Sequence, residues 1–172
     1  MSESNYFVAV LMGSDSDLPV MEATLEVLGN FELPYEVRVN SAHRTPDAIR
    51  AYVKDAEARG CAVFIAAAGM AAHLAGAVAA LTTRPVIGVP IDAGPLSGLD
   101  ALLSTVQMPG GIPVATVAIG KVGAKNAAYL AAQILALGDS ALSERVSDER
   151  RRQSEAVLAK DAKLRERQGP GG

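Results

Sequence analysis

Apolar residues in this chain come in short, nearly continuous runs separated by segments of helical period. The runs are Phe7-Val-Ala-Val-Leu-Met12, the more alternating Tyr35-Glu-Val-Arg-Val-Asn40, Ala62-Val-Phe-Ile-Ala-Ala67, Pro85-Val-Ile-Gly-Val89 and Val114-Ala-Thr-Val-Ala-Ile119. Unalternated runs of this length predict strands covered on both faces. Between the first two, residues 17–28 place Leu18, Met21, Leu25 and Leu28 on one helical face. Thr45 as N-cap and Pro46 at the first helical position open a second helix, with Ile49, Tyr52, Val53 and Ala56 turned inward. Further helices are expected at about residues 73–81, 98–106 and 126–137.

Strand and helix thus alternate five times, which predicts a parallel sheet with right-handed crossovers and helices on both faces. The expected architecture is α/β: a flavodoxin-like three-layer sandwich with a five-stranded parallel sheet in the order 2-1-3-4-5. Residues 144–168 differ in kind, with dense mixed charge and scattered Leu142, Val146, Val157, Leu158 and Leu164 nearby. They predict one or two solvated helices lying lightly on the domain or on a neighbouring subunit. Arg150-Arg-Arg152 could form an anion site, but Asp148, Glu149 and Glu155 favour a solvated face. The expected division is a single α/β domain over residues 1–140, a C-terminal helical extension over 141–168 and a disordered tail at 169–172.

Composition narrows the classes. At 172 residues, 49% apolar and 20% charged, a single ordered domain is the default. Sixteen Lys and Arg against nineteen Asp and Glu leave a net charge of −3, which argues against a nucleic-acid partner. The lone Cys61 allows no intrachain disulfide and fits a reducing compartment, and its apolar surroundings suit core packing. The polar start Met1-Ser-Glu-Ser-Asn5 is unlike a secretory signal, and no segment has the apolar length of a membrane span. A soluble cytoplasmic protein is therefore expected, without membrane contact. With 4% aromatics and no Trp, the core offers no aromatic cage for a flat cofactor.

Ligands of open α/β sheets bind beyond the carboxyl ends of the strands, and the unusual residues of this chain fall there. Gly13-Ser-Asp-Ser-Asp17 follows the first run, Ser41-Ala-His-Arg-Thr-Pro46 the second and Ala68-Gly-Met-Ala-Ala-His-Leu74 the third. Pro90-Ile-Asp-Ala-Gly-Pro-Leu-Ser-Gly98 follows the fourth. Loops at the other end, such as Gly29-Asn-Phe-Glu-Leu-Pro34, look like ordinary turns. In the first loop, glycine and helix-start N–H groups with two hydroxyls suit an anion, or Ser16 or Asp17 simply caps a helix. Two aspartates would repel an anion, so at least one is expected on sugar hydroxyls or orienting neighbours. In the second loop, Arg44 offers a planar fork for phosphate and His43 a proton shuttle, since imidazole titrates near neutrality. His73, among Ala, Gly and Leu, reads better as a satisfied histidine near the core or at a subunit contact. Two histidines and one cysteine, widely spaced, make no zinc pattern, and the dinucleotide, Walker A and nucleophile-elbow motifs are missing. A phospho-receiver would want an aspartate where this chain has Ala67-Ala-Gly69.

These motifs, with Leu-Ser-Gly98 and Val106-Gln-Met-Pro-Gly-Gly-Ile-Pro-Val-Ala-Thr-Val-Ala-Ile-Gly120, occur in an order that closely resembles the class I N5-carboxyaminoimidazole ribonucleotide mutases, the PurE family, over about residues 7–158. The resemblance implies a cofactor-free, metal-free carboxyl shift in purine biosynthesis, in a nucleotide-binding catalytic domain assembled as a homo-octamer. The N-carboxylate of the nucleotide substrate would leave as CO2, stay trapped, and be attacked by ring carbon C4. His43 matches the family's proton-moving histidine. By the same matching Ser14, Ser16, Asp17, Ser41 and Arg44 bind the nucleotide, with Arg44 and serine hydroxyls on the 5′-phosphate and Asp17 on the ribose. Ala68, Gly69 and Met70 would line the carboxylate and CO2 pocket. Residues 93–97, ending at Ser97, would close over it, and His73 matches a histidine close to the site. Leu18 stands where these enzymes usually carry Trp, Met70 where many carry Gly, and Ala75 where Pro is common.

Overall fold

The computed structural model describes residues 6–168. Strands β1 (Phe7–Met12), β2 (Tyr35–Val39), β3 (Cys61–Gly69), β4 (Val86–Ile91) and β5 (Ala115–Thr116) form one parallel sheet in the order β2-β1-β3-β4-β5, as the apolar pattern predicts. The helices among the described residues are α1 (Leu18–Asn30), α2 (Pro46–Ala58), α3 (Leu74–Ala79), α4 (Leu99–Val106), α5 (Gly120–Ala136) and α6 (Ser140–Gln168). The expected tail at 169–172 lies outside the described residues.

Side chains alternate across the central strands, so each strand serves two cores. Ala9 and Leu11 of β1 and Phe64 and Ala66 of β3 pack with Ile49 and Val53 of α2 and Leu74 and Val78 of α3. Cys61 belongs to this cluster; burial pushes its thiol up to about 11, which suits packing rather than nucleophilic work. Helices α1 and α5 meet through the buried Thr24, whose hydroxyl donates to the Ala124 carbonyl at 2.8 Å. The rings of Phe31 and Tyr129 meet edge to face at 5.6 Å.

Two boundaries differ from expectation, for one reason. The fifth strand is expected over 114–119, but only Ala115–Thr116 pair as a strand, and α5 starts at Gly120 rather than near 126. Pro113 has no N–H to give a ladder, and after the Val117 N–H bonds the Gly88 carbonyl at 3.1 Å the chain turns away. Gly120, at φ +71°, carries that turn. Gly123 then sits so close to the preceding backbone that an added Cβ would fall 1.5 Å from the Ala118 carbonyl oxygen. Glycines that look like helix breakers here permit the close approach that lets the helix begin early.

The chain falls into two compact units, one ending at Ala132 and one beginning at Gln133. The sheet and the site described below lie in the first. The second contains α6, one continuous helix of 29 residues. Arg151 bonds Asp148 at 2.9 Å and Arg152 bonds Glu149 at 3.1 Å, the spacing of a solvated helix face.

Candidate active site

The sheet reverses its strand order between β1 and β3, and a cavity of about 420 Å³ opens at their carboxyl ends. That is the place and size of a small-molecule site in an open α/β fold. Three loops build most of its wall, and Ala93 of the β4–α4 loop adds to it.

The β1–α1 loop supplies Gly13, Ser14, Ser16 and Asp17 to the cavity. Its local order comes from Ser14, not from the expected caps Ser16 or Asp17. The Ser14 hydroxyl accepts from the Ser16 N–H at 3.3 Å, and the Asp17 carboxylate accepts from the Ser14 N–H at 3.2 Å. This reciprocal pair is a capping box around a short 3-10 turn, Asp15–Asp17. Asp17 stands at the start of α1 without a side-chain cap bond to it. It is 5% exposed, and burial outweighs the backbone N–H bonds, raising its pKa above 3.8. Folded Asp17 therefore holds its proton more tightly than the unfolded chain does. Its favourable contribution is complete below pH 3.8 and is lost as pH rises through the folded value. The ionised carboxylate is thus a net cost at neutral pH. Asp17→Asn, which keeps an oxygen for the Ser14 N–H, is expected to melt higher than the parent at pH 7, with the difference shrinking toward pH 3.5. A variant that melts lower at pH 7 contradicts this account.

The β2–α2 loop supplies Ser41, Ala42, His43 and Arg44. Thr45 precedes α2 but does not cap it. Instead its hydroxyl accepts from the Ser41 N–H at 2.9 Å and donates to the Ser41 carbonyl at 3.1 Å, while its own N–H bonds that carbonyl at 2.8 Å. These bonds tie residues 41 and 45 together; between them Ala42 packs against the core, while His43 and Arg44 are exposed. Arg44 holds its Nε 3.4 Å from the Ser41 hydroxyl, and its two terminal nitrogens have no partner among the described residues. They remain available to an anion.

The β3–α3 segment supplies Ala68, Gly69, Met70, Ala71, His73 and Leu74. His73 is exposed, not packed near the core as the residues around it suggest. Its Nδ1 lies 2.7 Å from His43 Nε2, with the rings at 71° and their centroids 4.8 Å apart. One proton lies on that line, so each ring keeps a further nitrogen, His43 Nδ1 and His73 Nε2, for other partners.

Ten of the residues singled out in the sequence therefore line this one cavity: Ser14, Ser16, Asp17, Ser41, His43 and Arg44, with Ala68, Gly69, Met70 and His73. Ser97 does not; it is exposed at φ +50° in the β4–α4 loop. Ala93 of that loop does line the cavity. Among the described residues no group of His, Cys, Asp and Glu is arranged to hold a metal ion.

A flavodoxin-like parallel sheet with its cavity at the strand reversal, walled by hydroxyls, a guanidinium with two free terminal nitrogens and a histidine pair, places the chain among the open α/β proteins whose small-molecule sites lie at the carboxyl ends of the strands. The chain belongs to the AIR carboxylase family, which matches residues 7–156. It is 52% identical to the N5-carboxyaminoimidazole ribonucleotide mutase of Thermotoga maritima over 91% of each chain. It is 54% identical to the enzyme of that name from Mycobacterium tuberculosis, over 91% of this chain and 89% of the relative. The crystal structure of Treponema denticola PurE superposes with a TM-score of 0.85 at 31% identity, over 93% of this chain and 99% of that one.

Proposed function

We propose that the protein is an N5-carboxyaminoimidazole ribonucleotide mutase, an isomerase of purine biosynthesis that yields 4-carboxy-5-aminoimidazole ribonucleotide. The observation that carries the reading is the histidine pair, 2.7 Å apart, sharing one cavity with Arg44 and the serine loop. Relatives at 52% and 54% identity bear that name, which supports it.

In this reading Arg44 and the hydroxyls of Ser14, Ser16 and Ser41 hold the 5′-phosphate, and Asp17 accepts from the ribose. The C–N bond of the N-carboxylate breaks with its electron pair left on nitrogen, which takes a proton; CO2 is released inside the cavity. Carbon C4, made nucleophilic by the adjacent amine, then forms the new C–C bond and gives up its proton. His43 gives the first proton and takes the second, and no cofactor is needed. A ring of the pair that gains a proton on its outer nitrogen can pass one on through the shared bond, so donor and acceptor stay in register. The remaining work is to keep C4 and CO2 in contact and away from water.

The chain acts in the cytoplasm as a homo-octamer. Leu99, Leu103 and Val106 support the assembly: they form a stripe along α4 that is 53, 50 and 46% exposed, and Leu96 in the loop before it is 58% exposed. Among the described residues no helix is long and apolar enough to cross a membrane. The family's description as AIR carboxylases favours one second reading, in which free CO2 and the non-carboxylated nucleotide are the substrates.

A paired ultraviolet assay separates the two readings. One reaction receives N5-carboxyaminoimidazole ribonucleotide made in situ, the other aminoimidazole ribonucleotide with modest bicarbonate and no ATP. The expected result is rapid C4-carboxylated product in the first alone. Rapid product in the second makes the protein a carboxylase, and silence in both removes the enzymatic reading. Light scattering on the same sample is expected to give the mass of eight protomers, and a smaller particle removes the octamer.

A further inference from the structure

Met70 combines features that packing does not explain. Its backbone lies at φ +55°, where side chains are disfavoured and glycine is at home. The residue is 57% exposed, yet it stands on the cavity wall. A side chain kept at a position better suited to glycine, and not kept for burial, points to a role in what it covers.

The β4–α4 loop shows what that is. At the loop's start, Gly69 and Ala93 pack so closely that a Cβ on Gly69 would fall 2.7 Å from the Ala93 Cβ. One residue further along both segments, Met70 lies over Gly94: a Cβ there would stand 3.5 Å from Met70 Cγ and 3.9 Å from Sδ. At the loop's far end a Cβ on Gly98 would meet Ile119 Cγ2 at 2.6 Å and the Asp92 Cα at 3.1 Å. The loop is thus pinned at both ends by contacts with no room for a side chain, while Pro95, Leu96 and Ser97 between them are exposed. Met70 reaches across from the β3–α3 segment to the first residue beyond the anchored start.

We propose that Met70 is a gate, held against Gly94, that retains a small neutral molecule in the cavity between two chemical steps. The proposal rests on the mutase reading, which puts CO2 there after the C–N bond breaks and before C4 attacks. CO2 carries no net charge for Arg44, and its oxygens are only weak acceptors for the serines and the histidine pair. Polar groups that hold the nucleotide therefore hold it weakly, and shape must do the rest. A thioether side chain with three rotatable bonds can close such an opening and still let the nucleotide pass.

The test is isotopic. Wild type, Met70→Gly and Met70→Leu are given N5-carboxyaminoimidazole ribonucleotide made in situ with unlabelled carboxyl carbon, then diluted into 13C-bicarbonate with carbonic anhydrase. Label in the C4 carboxylate of the product is read by mass spectrometry. Wild type is expected to incorporate little, Met70→Gly roughly fivefold more or beyond, and Met70→Leu to return near wild type. Glycine suits the backbone at this position, so Met70→Gly is expected to melt no lower than the parent. Equal labelling of wild type and Met70→Gly, with both forming product, overturns the gate alone. A wild-type chain that forms no C4 product overturns the mutase reading and the gate with it.

Discussion

His43→Asn is expected to lose roughly 10²–10⁴-fold in turnover while binding the nucleotide product within about threefold of the parent. The asymmetry follows from where His43 sits. Ser14, Ser16 and Ser41, with the two unpartnered nitrogens of Arg44, stand on the loops that flank it and do not depend on its ring. The 41–45 loop is closed by Thr45 and not by His43, so asparagine leaves its shape intact. What asparagine removes is the ionisable nitrogen 2.7 Å from His73 Nδ1, and an amide can neither take up a proton nor release one at neutral pH. Turnover by stopped assay and product affinity by calorimetry read the two quantities separately. Turnover within tenfold of the parent would remove His43 as the acid–base group. Loss of binding in step with turnover would make it a ligand contact instead. Unchanged binding with no activity in the parent as well would fit a nucleotide sensor on the same sheet.

The architecture was legible because each central strand is apolar over its whole length. Val8 to Met12 and Val63 to Ala67 are almost completely buried, so no polar residue interrupts the runs that mark them. The cavity was legible for a related reason. A doubly wound sheet sends every carboxyl-end loop to one side, so Ser14, Ser41, His43 and Arg44 could be placed together without knowing a distance. The contact between His43 and His73 was not legible, since it joins residues 30 apart through the tertiary arrangement of two loops. Nor was the capping: Ser14, Ser16 and Asp17 can all cap in principle, and the backbone path alone selects Ser14 and Asp17 as the reciprocal pair. The boundary of α5 was hidden because a glycine's local preference and its use in close packing point in opposite directions, and at Gly123 packing prevails.

The same crowding makes Gly88 a position where a single methyl group is expected to harm the fold. Gly88 lies within β4, a strand buried along its length, and its φ is one that any residue can adopt. Space is the constraint: an added Cβ would fall 2.3 Å from Thr105 Cγ2, 2.9 Å from Val114 Cγ1 and 3.4 Å from the Ala75 Cβ. Thr105 cannot turn away cheaply, because it is 2% exposed and its hydroxyl donates to the Ala101 carbonyl at 2.7 Å. Gly88→Ala is therefore expected to cost about 1–3 kcal/mol by overpacking. At this chain length each kcal/mol corresponds to roughly 2–4 °C in Tm. Thr105→Ser deletes Cγ2 but keeps the hydroxyl, so it is expected to lose about 1 kcal/mol by itself and yet to restore most of the stability when combined with Gly88→Ala. The two substitutions would then be coupled with a sign that independent defects never show. The consequence reaches the cavity, since Gly88 pairs with Ala66 and, three residues on, Ile91 pairs with Gly69, the residue packed against Ala93. A strand pushed off Thr105 moves that wall, so the single variant should lose activity beyond its loss of folded protein and the double variant should regain it. Thermal melts and activity per folded protomer for the parent, both singles and the double decide it; a parent-like melt for Gly88→Ala, or a double no better than that single, refutes the packing account.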